Sequence, residues 1–159
     1  MNTRIVKASV IAASLAVLLQ ITVTAHHSFA MYDQKKVVTH TGVVKQFVPQ
    51  ANHAEIHFLL LAPDHKSLAT KDGKNVEWGI EMAGTAQLER QGISPKTFGP
   101  GTVFSVHMNP LRDGSNFGAR VGALAKCPTD EATKKPKLPE PGKHCDSVAG
   151  HTLIGGTDF

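Results

Sequence analysis

Apolar positions follow two patterns along this chain. The first is a nearly continuous run from Ala8 to Val23, interrupted only by Ser9, Ser14, Gln20 and Thr22. The second begins at Val37, where short segments alternate apolar and polar residues with the period of two that puts one face of a strand against a core. Val37–Val48 is rich in β-branched residues and predicts a long first strand, with Gly42 marking a bulge or bend and residues 49–52 the turn. In the next strand Ala54, Ile56, Phe58 and Leu60 share one face, and His53, Glu55 and His57 the other. A polar connection over 63–75 carries the turn signal Asp72-Gly73. The third strand places Val76, Trp78, Ile80 and Met82 inward and Glu77, Gly79 and Glu81 outward.

A short helix is expected next, with Thr85 as N-cap, Ala86–Arg90 as body and Gly92 as its end. Ser94–Phe98 reads as a tight turn or a single helical turn. Thr102–Met108 predicts the fourth strand, residues 109–116 a hairpin loop with Asp113-Gly114, and Phe117–Lys126 the fifth strand. Val148–Ile154 can add a short last strand, and the tail 155–159 is expected to fray.

Three strands, a short helix and two strands is the element order of an OB-fold, a Greek-key barrel plugged at one end by the helix. The expected class is therefore mainly all-β: a five-stranded OB-fold-like Greek-key barrel over 37–126, with one short helix between strands 3 and 4. Leu88, Ile93 and Phe98 are the expected plug. A plain antiparallel sandwich or meander is the competing architecture, but the strand count is low for a sandwich.

The N-terminal run changes the compartment. Arg4 and Lys7 precede it and Val23-Thr24-Ala25 follows, a small-x-small cleavage pattern, so residues 1–25 read as a secretory signal cut after Ala25. The alternative is an uncleaved anchor, for which the run is short against the roughly 20 residues of a span. Cleavage predicts a periplasmic or secreted protein with no membrane attachment. It leaves 134 of the 159 residues: an N-terminal segment over 26–36, the barrel, and a tail over 127–159. Without Arg4 and Lys7, 15 of the 17 basic residues remain against 13 acidic ones. This near balance, with few aromatics and no basic stripe, excludes a nucleic-acid partner.

Oxidising conditions suit a Cys127–Cys145 disulfide, which would close a Pro- and Lys-rich loop with no core of its own. A cysteine-based metal site is the weaker alternative, since His144 alone stands beside them.

The segment His26-His27-Ser28-Phe29-Ala30-Met31-Tyr32-Asp33, with Thr41-Gly42-Val43-Val44, Asn52-His53-Ala54, Trp78 followed by Glu81, and Asp113-Gly114-Ser115, resembles a family of small exported proteobacterial proteins of unknown function. It is also similar to the wider group of periplasmic bacterial OB-fold proteins. The resemblance covers about Ala25–Lys126 and implies fold and compartment, with no activity attached. Two features depart from it: Asn52 meets His53 with no Pro between them, and the Cys-bounded loop is an addition of this chain.

Candidate chemistry centres on histidines. Cleavage after Ala25 would leave His26 and His27 at a free amino terminus. An α-amine, a backbone amide nitrogen and an imidazole form a tetragonal Cu(II) chelate, so copper is the expected cofactor if there is one. The alternative is a solvated segment in which Phe29 and Tyr32 staple the chain to the barrel. His53 and His57 share a strand face, but about 13 Å separates them at about 3.3 Å per residue, so a metal there would need a neighbour such as His107, Glu77 or Glu81. The alternative is a solvated face of cross-strand pairs. Arg112, Asn116 and Arg120 are expected on a rim binding a small molecule, peptide or partner protein. His40, His65 and His151 are expected at the surface. No nucleophile motif or phosphate loop is present, and no catalytic residue is singled out. The expectation is an exported periplasmic binding protein, holding Cu(II) through His26 and His27 or a metal-free ligand on an OB-type module; an enzyme ranks last.

Overall fold

A computed structural model describes residues 30–157 and Phe159. The expected signal sequence, its expected cleavage site and His26-His27 lie outside the described residues. Tyr32–Phe159 make up one unit.

The strands are β1 (Val38–Val48), β2 (Glu55–Leu60), the small hairpin β3 (Thr70–Lys71) and β4 (Lys74–Asn75), β5 (Glu77–Glu81), β6 (Val103–Pro110), β7 (Phe117–Lys126) and β8 (Thr152–Ile154). Helix α1 (Thr85–Arg90) lies between β5 and β6. In the main sheet β5, β2, β1, β6 and β7 are neighbours in that order, and β5 pairs in parallel with β7 to close the ring. The result is a closed five-stranded barrel of OB-like topology, with β8 added antiparallel to β7 outside the ring. Asp72 (φ 52°) and Gly73 (φ 72°) form the β3–β4 turn, as their left-handed preference requires.

Alternation fills the interior. Ile56, Phe58, Ile80, Phe104, Val106, Met108 and Leu124 point inward and are fully buried. Phe104 stands at the centre, edge-on to Phe58 (5.2 Å) and Phe98 (5.8 Å). Leu88, Ile93 and Phe98 close one end as expected.

Three local readings are corrected. The bulge in β1 falls between Val44 and Gln46, not at Gly42. Gly42 instead makes room for Phe58, because a Cβ there would lie 2.4 Å from its ring. Helix α1 begins after Gly84 rather than Thr85, and the Thr85 hydroxyl donates to the Gln50 carbonyl (2.8 Å), tying the helix to the β1–β2 loop. The tail does not fray at its last residue, since the Phe159 ring stacks on His107 at 4.2 Å.

A larger difference from simple alternation concerns the outer face of β6. Cys127 and Cys145 form the disulfide. The enclosed residues 128–144 are mostly exposed and form no core of their own, as expected, whereas the cysteines themselves, with the stretch from Cys145 onward, cover the outside of β6 and join a second apolar cluster of Leu61, Val103, Ala125, Cys127 and Cys145. Val103, Phe104, Ser105 and Val106 are consequently all buried, and β6 is covered on both faces.

Candidate functional site

The outer face of β2 and β5 concentrates the chemistry. With Ile56 and Phe58 turned inward, Glu55 and His57 must point out; with Ile80 inward, Gly79 and Glu81 must point out. The register sets Glu55 opposite Glu81, His57 opposite Gly79 and Leu59 opposite Glu77. Two carboxylates directly across a ladder repel, and each here takes a polar partner. Tyr32 Oη donates to Glu81 Oε2 (3.0 Å), His53 Nδ1 lies 3.3 Å from Glu81 Oε1, and His57 Nε2 lies 2.8 Å from Glu55 Oε2. Lys45 Nζ donates to Glu77 Oε2 (2.7 Å), while His57 Nδ1 is 3.8 Å from Glu77 Oε1.

Tyr32 is 1% exposed. Burial, then the Glu81 and Glu55 charges, push its phenol well above the ordinary tyrosine range, so it stays a donor at physiological pH. It bridges Leu111, and the Asp33 amide donates to the Pro110 carbonyl (2.8 Å), so Tyr32 acts as the expected staple. Phe29 lies outside the described residues.

An aromatic ring completes the face. Phe117 of β7 lies across Gly79, where a Cβ would come within 2.4 Å of the ring, with the His57 ring centred 6.4 Å away. Only glycine at 79 leaves room for the edge of the Phe117 ring.

Two loops flank this face, 49–54 between β1 and β2 and 111–116 between β6 and β7. Arg112 and Asn116 lie exposed on the second, and Asn116 Nδ2 donates to the Glu77 carbonyl (3.2 Å). Asp113 accepts from the Ser115 amide (2.9 Å) and hydroxyl (2.7 Å), which holds its carboxyl below the usual range. Arg120 is corrected: it is not on this rim. Opposite Met108 on β7, it turns towards the plugged end, where Nη2 donates to Gln91 Oε1 (3.1 Å) and burial lowers its pKa. Gly155 passes over it so closely that a Cβ would come within 2.4 Å of Nη1, and that nitrogen has no hydrogen-bond partner.

The candidate metal residues part company. His53 and His57 share the β2–β5 face with carboxylates. His107 is on the far side of the barrel, its Nδ1 2.6 Å from Thr39 Oγ1 and its ring under Phe159. Among the described residues no three His, Cys, Asp or Glu side chains are grouped to hold a metal ion.

Two histidines expected at the surface are not there. His65 is 8% exposed, with Nδ1 3.3 Å from the Pro139 carbonyl. His40 packs its ring 4.2 Å from Trp78, and its Nε2 is buried without a partner. Burial, followed by the neighbouring His144, lowers its pKa to about 4. Sequence reasoning missed His144 as well, whose Nδ1 lies 2.9 Å from the buried Thr41 hydroxyl. The signal was present in the alternation: Thr39, Thr41, Ser105 and His107 share an outer face too polar for a core and too regular for a loop.

A cavity of about 430 Å³ opens between this covered face and the disulfide loop, lined mainly by Val43, Leu59, Leu61, Leu68, Val103 and Leu138.

No curated protein and no solved structure matches this chain. A family model described as a family of unknown function matches residues 14–120, from within the apolar N-terminal run to the middle of β7. The disulfide loop lies beyond the matched stretch. The chain therefore belongs to the family of unknown function DUF6152.

Proposed function

We propose that this DUF6152 protein is an exported periplasmic binding protein that takes its ligand on the outer face of β2 and β5. The observation that carries the reading is the meeting of Glu55, Glu77, Glu81, His53 and His57 beside the Phe117 ring on this face. In OB-type barrels the corresponding strands and their flanking loops form the usual ligand surface. Three carboxylates meet one permanent cation, Lys45, so the complementary ligand carries positive charge: an amine or a basic peptide. An ammonium can lie over Phe117 while a carboxylate accepts its protons, as Glu77 already does from Lys45.

Calorimetric titration with trilysine tests this. The expected result is saturable binding that a Glu77→Gln, Glu81→Gln variant weakens at least tenfold and that triglutamate does not reproduce. Equal binding by wild type and variant would remove the face from the account.

A second reading rests on the sequence at the expected cleavage point, where His26 and His27 would follow Ala25. The processed terminus supplies an amine, an amide nitrogen and imidazoles to Cu(II). The role would be storage, delivery or sensing. Protein beginning at His26 is expected to bind one Cu(II) with a tetragonal EPR signal, and one Gly placed ahead of His26, which moves both imidazoles one residue further from the amine, to change that signal. Equal weak binding by both forms would leave the metal-free barrel as the working description.

A further inference from the structure

The disulfide-closed loop 128–144 is fastened to the barrel by a chain of polar hydrogens. The Cys145 amide donates to Ser105 Oγ (2.9 Å), Ser105 Oγ and Thr41 Oγ1 are 2.7 Å apart, and Thr41 Oγ1 is 2.9 Å from His144 Nδ1. Thr41 and Ser105 are both buried. Each hydroxyl has one proton to give. With His144 neutral and Nδ1 bare, every donor has an acceptor: Cys145 to Ser105, Ser105 to Thr41, Thr41 to His144. A protonated Nδ1 must donate instead. Thr41 then turns its proton towards Ser105, and the Ser105 proton loses its acceptor. An orphaned donor in a buried site costs free energy that a solvated one does not.

The surroundings disfavour the imidazolium as well. Burial opposes it most; Asp146, from the loop's own end, favours it; His107 of β6 and His65 of the β2–β3 connection oppose it. His40, on β1, also couples electrostatically to His144. His65 adds a second fastening, its Nδ1 lying 3.3 Å from the Pro139 carbonyl of the loop. The loop also walls the apolar cavity, contributing Pro136 and Leu138 opposite Val43, Leu61 and Val103 of the barrel side.

We infer that loop 128–144 is an acid-released flap, latched at neutral pH by His144 on the Thr41–Ser105 hydroxyl pair and hinged on the Cys127–Cys145 disulfide. Release undoes the wall that Pro136 and Leu138 give the cavity, while the β1–β2–β5–β7–β6 ring stays closed. The latch holds above the ordinary histidine range and opens as pH falls below it, because the open state takes up the proton more readily.

NMR on the disulfide-intact protein between pH 7.5 and 4.5 tests this. Protection of the Cys145 amide and the position of the Leu138 methyl signals are followed beside the His144 ring resonances. The expected result is a loss of Cys145 protection of at least tenfold and a Leu138 shift, both with the midpoint of the His144 titration. Core amides such as Val106 are expected to remain protected. His144→Asn supplies a carbonyl oxygen that can accept from Thr41 and does not titrate, so its flap signals should stay constant over the range. Flap signals that do not change with pH, or that change with a midpoint unlike that of His144, would overturn the inference. So would a His144→Asn protein that opens with the wild-type midpoint.

Discussion

A Cys127→Ala, Cys145→Ala variant is expected to unfold with about 3 kcal/mol less stability than the wild type, the loop-closure entropy of a cross-link of this span. The separation of the two residues is 18. Loss of packing adds to that entropy, since both cysteines belong to the cluster with Leu61, Val103 and Ala125. For a domain of this size the change corresponds to a melting-temperature drop of about 10 °C. Urea denaturation of the oxidised wild type and the variant measures it. A difference below about 0.5 kcal/mol, against the expectation from loop closure, would mean that the segment covering β6 adds nothing to the cooperative unit.

The second large effect is one of pH. His40 sits against Trp78 with its pKa lowered to about 4, from burial first and His144 second. In the unfolded chain it protonates near pH 6.5. Between these two values the unfolded state holds more protons than the native state, so stability rises with pH across the window. The contribution is complete above about pH 6.5 and falls away towards pH 4, by about 3 kcal/mol in all. His144, also lowered, acts in the same direction. His40→Leu keeps an apolar contact for Trp78 and removes the titration. Its unfolding free energy is expected to fall less steeply than that of the wild type between pH 6.5 and 4.5. Identical slopes for the two proteins would show that His40 is not the proton-linked group.

What the sequence made legible, and what it hid, follows from how far each feature reaches along the chain. Strand order, the β7 limits at Phe117 and Lys126, and the plug of Leu88, Ile93 and Phe98 come from short-range alternation and turn signals, and all are found. The disulfide was legible because only two cysteines are available. The double burial of β6 was hidden. Alternation assumes one wet face, and here a segment more than twenty residues further on covers that face. His40 and His65 were misread for the same reason, since their covers, Trp78 and the Pro139 region, are remote in sequence. Arg120 looked like a rim cation because nothing local announces that Gln91 and Gly155 enclose it. On the candidate site, Glu55, His57, Glu77 and Glu81 were placed outward correctly by period alone. Phe117 over Gly79 was not foreseen, because it depends on the parallel closure of β5 with β7.

The most direct test of the binding face is a residue-resolved one. Amide shifts of the uniformly labelled protein are recorded while trilysine is added at neutral pH. The account predicts fast, saturable shifts centred on Glu55, His57, Glu77, Gly79, Glu81 and Phe117, with Leu124 and Ala125 at the far end of β7 unmoved. Shifts centred instead on the cavity residues Leu61, Leu68 and Leu138, or no saturable shift at all, would contradict it.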